Sequence, residues 1–198
     1  MDRQLPVFCF LEIPMDRIIE TTRLHLRQLR REDAETIATL INNYEIAKNL
    51  ARVPHPYELA DAHAFLDWLE TSKTKSRFSA ICMKPDPETL QGIISYEWSE
   101  GKQNVELGYW LVQQHWGKGL MTEAAIAMVD HAFLVAGVDE MVSGHFHENP
   151  ASGKVLVRAG FKVVASAMLY SNARHTEMPT NEMRLRRADW QNKNATKF

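Results

Sequence analysis

Residues 113–124, QQHWGKGLMTEA, set Gly117 and Gly119 on either side of Lys118, after a short apolar run and before a helical one. Glycines there remove the Cβ atoms that hold a backbone away from a ligand, and a helix opening at Leu120 presents amide N–H groups without partners. With the charge of Lys118, the chemistry this combination suits is phosphate binding. A plain tight turn into a helix is the alternative. A dinucleotide fingerprint requires a glycine or alanine three positions after Gly119, where Thr122 stands. A P-loop of the nucleoside-triphosphatase type requires Ser or Thr after its lysine; Lys118 precedes Gly119 and Lys154 precedes Val155. His145 and His147 share one strand face, yet no carboxylate or cysteine pattern completes a ligand set, and no metal is expected.

Such a loop needs a framework to hold it. The chain has 198 residues, 45% of them hydrophobic and 24% charged, the composition of a folded domain rather than a disordered one. A net charge of −2 excludes a global footprint for nucleic acid, and the basic runs around Arg23 to Arg31 and Arg184 to Arg187 are interleaved with acids. Cys9 and Cys82 cannot form the framework of a disulfide-stapled domain, so a reducing cytoplasm is expected. No apolar run reaches the roughly 20 residues needed to span a bilayer, and Glu12 interrupts LPVFCFLEI.

Between residues 18 and 27, Leu24 and Leu26 alternate with polar neighbours, which predicts one strand. Ala34, Ile37, Ala38 and Ile41 fall at helical spacing behind Asp33, a candidate N-cap or first-turn acid, and Ala62, Phe65, Leu66 and Leu69 repeat the pattern. Two helices are therefore expected before a meander of RFSAICM, GIISYEW and VELGYWLV, with a turn on Pro85 and Pro87. The run from Gly119 to Gly137 reads as a buried helix, EMVSGHF as a strand, SGKVLVRAG as a short helix, and FKVVASAML and EMRLRR as closing strands. This order predicts one α+β domain over residues 15–198. Met15 opens the stretch that runs into the first strand, so residues 1–14 read as an extension of doubtful native status.

The segment Gln114-His-Trp-Gly117-Lys-Gly119 resembles the Arg/Gln-x-x-Gly-x-Gly/Ala motif of the GNAT acetyltransferases. VELGYWLVQQHWGKGLMTEA, ENPASGKVLVRAGF, TTRLHLRQLRREDA and RLRRADW together are similar to its ribosomal-protein (RimJ/RimL-like) branch, over nearly everything after Met15. The resemblance implies a mixed, mostly antiparallel sheet of six to seven strands with about four helices, splayed between the fourth and fifth strands. It implies acetyl-CoA as cosubstrate, with main-chain groups of Trp110, Leu111 and Val112 pairing with pantetheine. Gln114 and the amides of Gly117, Lys118, Gly119, Leu120 and Met121 would hold the pyrophosphate, Asn149 the pantetheine arm, and Lys154 the nucleotide phosphates. Asn149-Pro150 also suits a helix start.

Acetyl transfer to an amine needs a neutral nucleophile, a polarised carbonyl and a proton for the departing thiolate. Strand alternation places Glu106, Gly108 and Trp110 on one face and Val105, Leu107 and Tyr109 on the other, making Glu106 the candidate base. A main-chain amide between Tyr109 and Leu111 is the candidate donor to the carbonyl oxygen. Leu156 stands where many family members carry an acidic tyrosine, so Ser152 is the candidate acid, with Tyr170 behind it. Phe65, Trp68 and Trp98 are candidates to line an acceptor pocket or to be ordinary core. The expected acceptor is a protein N-terminal α-amine; a polyamine, amino sugar or amino acid, or a non-catalytic CoA sensor, are the alternatives. The resemblance also allows a homodimer.

Overall fold

The computed structural model describes residues 18–72, 76–98 and 104–195. The expectation about residues 1–14 lies outside these. One eight-stranded sheet runs in the order β1-β2-β3-β4-β5-β6-β8-β7. Its strands are β1 Ile19–Glu20, β2 Leu24–Gln28, β3 Arg77–Met83, β4 Asp86–Trp98, β5 Val105–Leu111, β6 Glu140–Phe146, β7 Lys162–Ser171 and β8 Thr176–Arg186. Every neighbouring pair is antiparallel except β5 and β6. Among the described residues six α-helices flank it: α1 Ala34–Ile41, α2 Tyr44–Ala47, α3 Leu59–Thr71, α4 Leu120–Leu134, α5 Pro150–Ala159 and α6 Arg187–Ala195.

The class agrees with expectation, while the element counts are higher. The eighth strand arises because residues 18–27 are not one strand: the Thr21 amide donates to Leu24 O and the Thr21 hydroxyl accepts the Leu24 amide, folding Ile19 back onto Leu26. The extra helices are the single turn of α2 and the C-terminal α6, so three helices, not two, follow β2 before β3. Asp33 occupies the N-cap position of α1, but its side chain makes no cap bond there. Its carboxylate accepts the Arg30 amide at 2.8 Å and a bidentate pair of bonds from the buried Arg27 guanidinium, each 2.8 Å. The turn after β3 contains Pro85 alone, since Pro87 already belongs to β4.

Alternation along the strands sorts side chains into two cores, one on each face of the sheet. Ala80, Cys82, Ile93, Trp110 and Val112 pack with Ile37, Ile41, Ile46, Ala62 and Leu66 of α1 to α3. Ile81, Ile94, Tyr96, Val105 and Leu107 pack on the other face with Ala124, Met128, Ala132 and Phe133 of α4 and Leu156 of α5. Burying each large side chain contributes about 1.5–3 kcal/mol, so losing either helix layer would leave a whole sheet face in water. None of the described helices is long and apolar enough to cross a membrane. Strand β7 forms the far edge, and nine of its ten residues are exposed.

A close contact and a buried imidazole lead to measurable expectations. Helix α5 approaches β6 so tightly that a Cβ on Gly153 would lie 2.6 Å from Nε2 of His145, whose ring is held by donation from Nδ1 to the Phe146 carbonyl at 2.9 Å. Gly153→Ala is expected to lower stability by about 1–3 kcal/mol in urea denaturation, and most of that cost should vanish in a His145→Ala background. Inside α4, burial and then the nearby Arg77 charge push the His131 imidazole down from 6.5 to about 4. The folded state thus refuses a proton that the unfolded chain accepts. Stability should be intact above about pH 6.5, fall as pH drops towards 4 and level off below it. His131→Leu should remove that slope from unfolding midpoints measured across the interval.

Candidate active site

Strands β5 and β6 pair only at Val105↔Met141 and Glu106↔Val142, then diverge. The hydrogen-bond phase of β5 decides which main-chain groups face the resulting gap. Val112 N–H donates to Gln91 O at 2.9 Å, and the antiparallel ladder alternates from there, so Trp110, Gly108 and Glu106 also turn their main-chain groups towards β4. Leu107, Tyr109 and Leu111 turn theirs towards β6. Two of these acceptors already have partners: Ser143 Oγ donates to Leu107 O at 2.8 Å and Trp116 Nε1 to Leu111 O at 2.7 Å. Of the three residues expected to pair with pantetheine, Trp110 and Val112 are therefore committed to β4. Tyr109 and the Leu111 amide face the gap instead. Side-chain alternation alone cannot locate them, because it reports Cβ direction and not main-chain direction.

The gap opens into a cavity of about 1050 Å³ that passes through the sheet. At one end stands α4, whose first helical bond is Glu123 N–H to Gly119 O at 3.1 Å. The amides of Gly119, Leu120, Met121 and Thr122 precede that bond and have no partner within the helix. Gly117 and Gly119 adopt φ of +73° and +75°, and a Cβ built on Gly117 would meet nothing within 4 Å. Gly117, Gly119, Leu120 and Met121 line the cavity. Gln114 and the Lys118 side chain do not: Gln114 bonds Gln91 at 3.3 Å, and Lys118 contributes its carbonyl to Arg23.

Across the gap, Asn149 Oδ1 accepts the Ser152 amide at 3.1 Å, the helix-start role weighed from the sequence, while both residues and Lys154 also line the cavity. Leu156, at the position of the family tyrosine, is fully buried in the core and offers no proton. A tyrosine nevertheless reaches the same place from β5. Tyr109 Oη lies 3.0 Å from Ser152 Oγ and donates to Ser152 O at 3.2 Å. Burial pushes the Tyr109 phenol up to about 12, so it stays protonated, although the Ser152 bond works in the opposite direction. Tyr170 lies on the exposed edge strand and takes no part in lining the cavity.

Glu106 lies on the α1 to α3 side of the sheet, directly opposite Glu97 of β4. Both line the cavity, as does Asp61, and Arg52 pairs with Glu97 at 2.9 Å. Phe65 and Trp68 also line this end, together with Phe78, whereas Trp98 packs against the other core. No group of three or more His, Cys, Asp and Glu suited to a metal occurs among the described residues. His145 is instead engaged with Phe146 and lies 3.4 Å from the Asn181 amide.

The cradle of unpartnered amides, the two glycines that admit a close ligand and the slot between β5 and β6 fit a long, phosphate-bearing molecule such as acetyl-CoA. Its phosphates would lie on α4 and its reactive end between Tyr109 and Ser152.

Comparison with known proteins agrees. A model of the acetyltransferase (GNAT) domain matches residues 23–162. The uncharacterised N-acetyltransferase YoaA of Bacillus subtilis is 26% identical over 170 residues, covering 83% of this chain and 93% of that one. The ribosomal-protein-serine acetyltransferase of Escherichia coli is 32% identical over 75 residues, covering 37% of this chain and 42% of its own. The spermidine N-acetyltransferase of Vibrio cholerae, solved with CoA and spermine, superposes with a TM-score of 0.73 at 19% identity, over 86% of this chain and 99% of that one. With the matched span running from Arg23, in the turn between β1 and β2, through the glycine loop, the gap and α5, the chain belongs to the GNAT family of acetyltransferases.

Proposed function

We propose that this protein transfers the acetyl group of acetyl-CoA to a protein N-terminal α-amine, by direct attack with both substrates bound. The observation that carries the reading is the cavity through the sheet, with phosphate-binding amides and a Ser152–Tyr109 pair on one side and Glu106 on the other. Acetyl-CoA supplies the activated acyl group. The chain's own residues supply the rest. Glu106, through water, takes a proton from the incoming ammonium. The Tyr109 or Leu111 amide donates to the carbonyl oxygen as it gains charge. Ser152 Oγ–H gives a proton to the sulfur as the C–S bond breaks, and the Tyr109 hydroxyl, 3.0 Å from Ser152 Oγ, turns its single proton from Ser152 O to that oxygen. Ser152 Oγ then regains a proton from the one that the attacking nitrogen sheds, relayed by water, and Glu106 returns its proton to solvent.

An α-amine suits this apparatus, because its pKa near 8 leaves part of it neutral at pH 7, whereas a lysine amine near 10.4 is almost wholly protonated. The partial similarity to a ribosomal-protein-serine acetyltransferase supports the same acceptor. A second reading, a polyamine, is favoured by one observation: Asp61, Glu97 and Glu106 line the acceptor end with Arg52. Three carboxylates there would attract a ligand with several positive charges.

Turnover read as free thiol released, over N-terminal peptides, spermidine and amino sugars, separates these readings. Peptide α-amines are expected to react fastest; a preference for spermidine would select the second, and tight CoA binding without turnover on any amine would favour a sensor. In the best acceptor, Glu106→Gln is expected to lower kcat/KM by about 10²- to 10³-fold. Ser152→Ala should reduce kcat by roughly tenfold or more while leaving CoA affinity unchanged.

A further inference from the structure

The glycine loop raises a problem of its own. Glycines at 117 and 119 admit a phosphate, but they also let the peptide plane between Lys118 and Gly119 rotate, since reversing it would carry Gly119 from φ +75° to a negative φ that glycine accepts equally well. In one orientation the Gly119 N–H faces the cavity; in the other the Lys118 carbonyl does, and an oxygen there would repel a phosphate.

Arg23 faces this peptide from outside the cavity. Its Nη1 donates to Lys118 O at 3.0 Å, and its Nη2 is the nearest atom, at 3.6 Å, to where a Gly119 Cβ would stand. Because the C=O and N–H of a trans peptide point in opposite directions, holding that carbonyl outward turns the Gly119 N–H inward. The guanidinium is itself fixed by Glu123, one turn into α4. Arg23 Nε donates to Glu123 Oε2 at 2.7 Å, and the Arg23 amide and the Thr21 hydroxyl both donate to Oε1 at 2.7 Å. Burial pushes the Glu123 carboxyl up, but these bonds outweigh it and hold it below its ordinary value, so it is ionised at neutral pH. Arg23 also neutralises a carboxylate that would otherwise sit beside an anion site.

The geometry points to Arg23, anchored by Glu123, as the positioning residue that fixes the Lys118–Gly119 peptide in its phosphate-binding orientation. The turn between β1 and β2 thereby becomes part of the donor site without touching the ligand. This rests on the acetyl-CoA reading above.

The test compares two ligands that share the pantetheine arm and differ in the pyrophosphate. CoA binding is measured by calorimetry, and kcat/KM is measured with S-acetylpantetheine as donor. Arg23→Gln is expected to weaken CoA binding about tenfold and to leave the S-acetylpantetheine rate within about twofold. Arg23→Lys, which keeps the charge but cannot bond Lys118 O and Glu123 Oε2 together through one planar group, should recover little of the loss. Glu123→Gln should weaken CoA in the same sense by a smaller factor. Unchanged CoA affinity in Arg23→Gln, equal losses for both ligands, or full recovery with lysine overturns the positioning role alone. Wild-type protein that binds neither ligand overturns the acetyl-CoA reading and this inference with it.

Discussion

The short parallel pairing of β5 with β6 is the constraint from which the rest of the site follows. Two residue pairs hold the strands together at one end, and beyond them a sheet that is otherwise antiparallel must open. An opening in a sheet exposes main-chain groups that need partners. Here Ser143 and Trp116 satisfy two carbonyls without closing the gap, and Tyr109 and the Leu111 amide remain directed into it. The indole of Trp116 reaches back from the very loop that starts α4, so loop and gap are held in one arrangement. The opening also makes the two faces of the sheet communicate. Ser152 and Glu106 lie on opposite sides of it, and only a break in the ladder lets one reacting group be reached from both.

The two helix layers give this break its rigidity. A sheet interrupted at its centre has lost ladder bonds that would hold its halves together, and the packing of α4 and α5 against the α4-side core spans the break. Further ties cross it at the other end: the Arg174 guanidinium donates to Lys48 O at 2.8 Å and Asn172 N–H to Ala51 O at 2.8 Å, joining the β7–β8 turn to the segment after α2. The tight seat of Gly153 on His145 sets the height of α5, and so the position of the Ser152 hydroxyl relative to Tyr109.

What could be read from the sequence was what depends on side-chain type and period. The alternation in VELGYWLV placed Glu106 and Tyr109 on opposite faces, as the two cores show for their neighbours Trp110 and Leu107. The glycine pair and the helix behind it were legible for the same reason. Main-chain direction was not, because hydrogen-bond phase depends on which residue of β5 opposes which residue of β4; hence Trp110 and Val112 were expected in the gap in place of Tyr109. The Tyr109–Ser152 contact joins residues 43 apart, and the Arg23–Glu123 contact residues 100 apart, separations at which local pattern carries no signal. The fold-back at Thr21 was hidden because two short strands joined by a tight turn keep nearly the same polarity pattern as one longer strand.

Strand order carries a consequence for how the chain reaches this state. In the sheet, β8 lies between β6 and β7, although β7 is made first. The β7–β8 hairpin can form locally, but it must then dock by its later strand, so the row from β6 outward stays incomplete until residues 176–186 have left the ribosome. Until then His145 lacks Asn181 beside it, and Phe146 lacks its cross-strand partner Thr180. The part of the cavity wall formed by His145, Phe146 and Thr180 is thus assembled last, and contacts of such long sequence separation are slow to form. The glycine loop, complete before Leu120, waits on the C-terminal hairpin before it has an active site to serve.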